Sequence, residues 1–169
     1  AEIVLYVERR CATAPTLVGT VGRLNVPGGA INVIPGRCDF SLDIRAADDA
    51  TRDAAAADVL AEIERIAKRR KGTVEIKEIQ RGPAVPCSPP LQAQLAAAME
   101  RAGILPRYLP SGAGHDAVSF SGITDIAMLF VRCGNGGISH SPLETITAAD
   151  ADIVVSVVVT LLVYRKTRA

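Results

Sequence analysis

Only two histidines occur in this chain, and both lie in glycine-rich, polar runs rather than on an apolar face. His140 sits in Gly136-Gly137-Ile138-Ser139-His140-Ser141-Pro142-Leu143-Glu144, just after an apolar run that reads as a buried strand. A neutral imidazole at such a junction suits Zn²⁺ or Mn²⁺, and the preceding glycines let backbone N–H groups approach a ligand closely. The competing reading is a loop histidine that bonds a neighbouring carbonyl. His115 belongs to Ser111-Gly112-Ala113-Gly114-His115-Asp116 and opens a short helix. There His115 and Asp116 could form an acid/base pair, or Asp116 could cap backbone donors. Adjacent residues do not face each other on a helix, which argues against a direct dyad.

Two further side chains could hold an anion. Arg45 lies on the polar face of a strand, where its guanidinium fork could grip a carboxylate or instead form a salt bridge with Asp43 or Asp48. Asn32, in the middle of a Pro- and Gly-bracketed loop from Pro27 to Gly36, could offer its amide to an oxyanion or carboxylate. It could equally occupy a left-handed turn position.

Composition limits the partners. Nineteen Lys and Arg oppose eighteen Asp and Glu, a balance that argues against a general polyanion binder, so no nucleic-acid partner is expected. The cluster Lys68-Arg69-Arg70-Lys71 reads as a helix end, where cations favour the macrodipole. Cys11, Cys38, Cys87 and Cys133 form no C-x-x-C pair and are read as reduced thiols of a cytoplasmic protein. Ile153 to Val163 is too short to span a bilayer and no signal peptide opens the chain, so no membrane partner is expected.

The elements that must position these residues follow from periodicity. Glu2 to Arg10 reads as a helix without a capping residue before it. Thr16 to Val26 reads as a strand interrupted by glycines. In a second strand, Arg37 to Ala46, Cys38, Phe40, Leu42 and Ile44 share one face and Asp39, Ser41, Asp43 and Arg45 the other. Asp48 or Asp49 caps a helix carrying Val59, Ile63, Ile66 and Ala67, which Gly72 ends, and Thr73 to Ile79 alternates as a third strand. That order is the order of a small open-faced sandwich. Ser88-Pro89-Pro90 starts another helix, Leu91 to Ala102, with Ser88 as cap. Short strands follow near Arg107 to Leu109 and at Ile126 to Val131, the latter apolar throughout, as a strand covered on both faces should be. A last helix starts at Thr147 with Asp150 as its capping partner. The boundary between two domains is placed at 82.

Five blocks in order, Gly19-Thr20-Val21-Gly22, Asn32-Val33-Ile34-Pro35-Gly36, Asp43-Ile44-Arg45, Ser111 to Ala117, and Gly137 to Glu144, carry a family resemblance across nearly the whole chain. Together they resemble the hydantoinase/carbamoylase branch of the dinuclear-zinc aminoacylase and carboxypeptidase-type hydrolases. That branch includes N-carbamoyl-L-amino acid hydrolases, allantoate amidohydrolases and β-ureidopropionases. The resemblance implies an α/β (α+β) fold, in which residues 1–81 are most of a ferredoxin-like lid and dimerisation domain. Residues 82–169 would be the C-terminal segment of the catalytic domain.

The same resemblance implies a cofactor of two divalent metal ions, zinc or manganese, with His140 as the last ligand. Asn32 and Arg45 would hold the carboxylate or ureido group of the substrate, Gly136 and Gly137 would present backbone contacts, and His115 would line the pocket. A homodimer formed through the lid domain is implied as well. The family's remaining ligands, its base glutamate and the lid histidine have no counterpart in these 169 residues. The expectation is therefore a C-terminal fragment, metal-free and inactive alone, with no catalytic residue of its own. A non-catalytic dimerisation or binding module and an aminoacylase or peptidase relative are the alternatives.

Overall fold

Val7 and Cys11 recur one helical turn apart, as do Ala55, Val59 and Ile63 on a longer helix, and the burial of these two stripes against each other organises the first half of the chain. The computed structural model describes residues 1–166. It is mixed α/β and divides into two compact units. One comprises Ala1–Ala84 with Pro110–Ala113, the other Val85–Leu109 with Gly114–Ala169.

In the first unit, α1 (Glu2–Cys11) packs on α2 (Asp49–Arg69), and β1 (Val18–Thr20), β2 (Leu24–Asn25), β3 (Asp39–Phe40) and β4 (Asp43–Arg45) lie beside them. Antiparallel pairing joins β1 to β4, with Gly19 opposite Ile44, and β2 to β3, with Leu24 opposite Phe40. Val7, Cys11, Leu17, Ala55, Val59 and Ile63 form the core, covered by Phe40, Leu42, Ile44 and Ala46 from the sheet side. Cys38 departs from the alternation and is exposed, because the chain before Asp39 is not yet paired. α2 starts where Asp48 Oδ1 accepts the Thr51 N–H at 2.8 Å. The bonds from Thr51 hold the Asp48 carboxyl below its ordinary value. The helix ends in a paired-bond turn, with Lys71 N–H on Lys68 O and Gly72 N–H on Ala67 O. The left-handed residue of that turn is Lys71, φ 56°, not Gly72. At the far edge, Glu2 holds both Arg69 and Arg70, fastening the start of α1 to the end of α2.

The expected third strand, Thr73 to Ile79, forms no ladder, and Val74 and Ile76 are exposed. Each ladder among the described residues has two strands, and neither takes this segment as a third.

The second unit is built on α3 (Pro89–Arg101) and α4 (Ala148–Lys166), which pack together and bury Ala98 and Val157. Ser88 stands at the N-cap of α3 but its hydroxyl makes no capping bond; Pro90, at the second helical position, lacks one of the two N–H donors such a cap serves. Its backbone N–H instead meets Ile126 O at 2.8 Å. α3 ends at Gly103, φ 73°, with Ile104 N–H on Met99 O. α4 opens as expected: Asp150 N–H donates to Thr147 Oγ1 at 3.1 Å, and the Thr147 hydroxyl donates to Asp150 Oδ2 at 2.5 Å. The runs Arg107 to Leu109 and Ile126 to Val131 form no ladder. Ile126 to Met128 are half-buried and Phe130 is 50% exposed, because this unit holds no second strand to pair with among the described residues. All four cysteines are free, and no helix of the described residues is long and apolar enough to cross a membrane.

Gly19 is the tightest point of the first core. A β-carbon there would lie inside van der Waals contact with Cys11 Sγ and 3.0 Å from Val7 Cγ1. Gly19→Ala should therefore cost about 1–3 kcal/mol in urea unfolding, the usual cost of overpacking. The double variant with Cys11→Ala should recover part of that loss. Equal midpoints for the single variant and the unmodified chain would show that α1 does not press on β1 this way.

Candidate functional site

The His140 loop is shaped by its own backbone. Gly134 N–H donates to Thr145 O at 2.9 Å, closing the stem. A β-carbon on Gly134 would meet Thr145 Oγ1 at 2.5 Å, so a larger residue there requires the Thr145 side chain to turn away. Between the stems, Asn135, Gly136, Gly137 and His140 all take positive φ, at 49°, 71°, 76° and 58°. Glycine does this freely; asparagine and histidine adopt it more readily than most side chains but at a steric cost that local bonds offset. For His140 those bonds are at hand. The His140 N–H donates to Glu144 Oε2 at 3.2 Å, and Ser139 Oγ lies 3.0 Å from His140 Nδ1. Among the described residues Nε2 has no partner, and the side chain is exposed. The imidazole therefore has one nitrogen engaged and one open.

Behind the loop, Arg132 reaches Asp150 at 2.6 Å, so the residue that caps α4 also ties down the chain entering the loop. Bonds from the Thr147 hydroxyl and then from Arg132 hold the Asp150 carboxyl below its ordinary value. Asn135, whose Nδ2 donates to Leu143 O, and Glu144 were not singled out by sequence reasoning. The signals were an asparagine just before paired glycines and a carboxylate four residues past His140.

His115 stands in the same unit, at the start of a 3-10 helix, Asp116–Phe120. Its Nδ1 accepts the Ala117 N–H at 3.0 Å, so the imidazole, and not Asp116, is the cap. No hydrogen bond joins His115 to Asp116 or to His140 among the described residues.

Arg45 and Asn32 belong to the first unit. Arg45 makes a two-pronged contact with Asp43, Nε to Oδ1 at 2.8 Å and Nη2 to Oδ2 at 2.6 Å, and its Nη1 donates to Gly112 O at 2.6 Å. Three of the five guanidinium N–H groups are thus used and two remain for another acceptor. The salt bridge weighed against a carboxylate role is present, with Asp43 and not Asp48 as partner, yet it fixes the group without exhausting it. The Arg45 contact holds the Asp43 carboxyl below its ordinary value of 3.8 against partial burial. Asn32 lies exposed in the turn spanned by the Ala30–Val33 bridge and does not take the left-handed conformation; Gly28 does, at φ 66°. Ile31 and Ile34 beside it are almost fully exposed.

No group of three or more His, Cys, Asp or Glu side chains among the described residues could hold a metal ion. Glu144, the nearest acid to His140 in sequence, is turned onto the backbone of His140 itself. These residues do not by themselves make a two-ion centre; the open Nε2 of His140 has the chemistry of a single ligand.

The family model described as peptidase family M20/M25/M40 matches residues 7–164. The chain is 38% identical over 153 residues to an N-carbamoyl-L-amino acid amidohydrolase of Geobacillus stearothermophilus, covering 90% of this chain and 37% of that protein. It is 41% identical over 143 residues to allantoate deiminase 1 of Glycine max, covering 80% of this chain and 29% of that protein. A crystal structure of a hydantoinase/carbamoylase family amidase from Burkholderia multivorans superposes with a TM-score of 0.90 at 32% identity, covering 97% of this chain and 40% of that one. The chain thus spans well under half the length of these relatives.

Because the Asp43 pKa is depressed in the folded chain, its pairing with Arg45 is present above the ordinary carboxylate value and is lost as pH falls through the lowered one. The Arg45 ¹⁵Nε and ¹Hε chemical shifts in NMR should keep their paired values at pH 3.8 and move to those of free arginine only below it. In Asp43→Ala those shifts should lie near the free-arginine values at every pH; paired-type shifts there would show that Gly112 alone fixes Arg45.

Proposed function

The chain belongs to peptidase family M20/M25/M40, and from that premise we propose that it is the C-terminal portion of a metal-dependent amidohydrolase. The reaction is hydrolysis of a C–N bond in an N-carbamoyl amino acid or a related ureido compound such as allantoate. The observation that carries this reading is the identity to proteins named as a carbamoyl amino acid amidohydrolase and an allantoate deiminase, over 153 and 143 residues. The family generally uses divalent metals, and a bound pair of zinc or manganese ions would supply an activated water for attack on the carbamoyl or amide carbon.

The residues of this chain would bind and orient. His140 donates Nε2 as one metal ligand. Arg45 presents its two open N–H groups to the substrate carboxylate, a charge-assisted contact suited to a planar anion. Asn32 offers its amide to the carboxylate or ureido group from an exposed turn. Gly136 and Gly137 bring backbone groups close to the substrate, and His115 lines the pocket. Residues 1–81 would act as a ferredoxin-like lid and dimerisation domain and 82–169 as the closing part of the catalytic domain, the whole forming a homodimer through the lid.

Two polypeptides test the proposal, the 169-residue chain and a longer protein containing it at the length of the Geobacillus relative, each assayed with Mn²⁺ and with Zn²⁺. The panel is N-carbamoyl amino acids, allantoate and simple N-acyl amino acids. The longer protein should turn over the carbamoyl or ureido substrates, and His140→Ala should lower its rate at least ~10³-fold, the scale of losing an essential catalytic group. Arg45→Lys, which keeps charge but loses the fork, should act chiefly on KM. The short chain alone should show no turnover. Turnover by the short chain, or activity of the longer protein on acyl amino acids only, would overturn the reading.

A further inference from the structure

We propose that Glu144 is a positioning residue for His140, its carboxylate holding the His140 N–H and thereby the left-handed turn that leaves Nε2 exposed. His140 carries a β-carbon at φ 58°, a left-handed conformation uncommon for any residue but glycine and one that a backbone hydrogen bond can hold in place. The bond from its N–H to Glu144 Oε2 spans the four residues of the turn. Glu144 can act as a fixed point because its own backbone is anchored on both sides. On the preceding residue, Leu143 O accepts from Asn135 Nδ2 and Leu143 N–H donates to Ser141 Oγ at 3.2 Å. On the following residue, Thr145 O accepts from Gly134 N–H at 2.9 Å. Glu144 N–H itself donates to Ser141 O at 3.0 Å. The loop stem thus fixes the Glu144 backbone, the Glu144 side chain fixes the His140 backbone, and Ser139 Oγ, 3.0 Å from Nδ1, orients the ring.

An acid four residues past a histidine invites a different reading, that of a second metal ligand. The bond to the His140 N–H argues against it, since a carboxylate turned inward onto backbone is not directed at the same ion as Nε2. The consequence for catalysis rests on His140 being a metal ligand; the positioning itself is tested without metal.

Amide hydrogen exchange followed by NMR on the ¹⁵N-labelled 169-residue chain reads the bond directly. The His140 amide should exchange about tenfold more slowly than an unprotected loop amide, as one charge-assisted bond allows. Glu144→Ala should abolish that protection and shift the His140 ring resonances, with the amides of α3 unchanged as a control on folding. Glu144→Gln keeps an acceptor oxygen, so the protection should return to within about threefold of the unmodified chain. Exchange of His140 at the free rate in the unmodified chain overturns the proposal, even if the alanine variant does not fold. So does protection that survives Glu144→Ala, or a glutamine variant that behaves like alanine. If protection follows this pattern while His140→Ala leaves the longer protein active, the metal-ligand reading fails and the positioning role stands.

Discussion

Asp150 is the point on which the second unit turns. It is the one buried acid among the described residues, and it meets three demands at once. It takes the Thr147 hydroxyl, its own N–H is capped by Thr147 Oγ1, and it receives Arg132 from the segment that enters the His140 loop. A buried carboxylate without such partners would carry a large desolvation cost; with them it becomes the knot that joins the start of a helix to the entry of a loop. The loop can then commit Asn135, Gly136, Gly137 and His140 to left-handed backbone because both of its ends are already fixed, by Arg132 to Asp150 and by Gly134 to Thr145. The exposed histidine at its tip is well placed for the same reason, despite lying on irregular chain.

The first unit solves a different problem by similar means. A guanidinium half in solvent has many rotamers, and an anion that recruits it must order it first. Asp43, two residues away on the same face of β4, removes most of that freedom beforehand, and Gly112 O removes more. The two N–H groups left over are therefore presented in a fixed plane. Neutralising part of the charge weakens long-range attraction, while the fixed plane favours flat acceptors such as a carboxylate over a spherical anion.

How far the sequence was legible depended on the range of each interaction. Helix starts at Asp48 and Thr147 were readable because a cap is a contact between residues three apart. The alternation of Phe40, Leu42 and Ile44 toward the core was readable from period and composition, and β4 forms within that run, against β1. Ladders at Thr73 to Ile79 and Ile126 to Val131 were not, because a strand exists only with a partner and the partner is not a property of the run itself. Asn32 illustrates the same limit in a turn: the Ala30–Val33 turn closes without a left-handed residue, and the left-handed position of the loop is Gly28, in the preceding turn. At His115 the ring displaced Asp116 as the cap, a choice between two adjacent acceptors that composition does not decide. The family resemblance crossed these limits because its five blocks preserve an order along the chain that no single contact encodes.

We propose that this chain carries one metal ligand, His140, rigidly presented, and not a metal centre. Calorimetric titration of Zn²⁺ and of Mn²⁺ into the 169-residue chain, with His140→Ala alongside, tests it most directly. The expected result is no tight site in either, and at most weak binding of a single ion that disappears with His140. Stoichiometric uptake of two ions by the chain alone would contradict the claim.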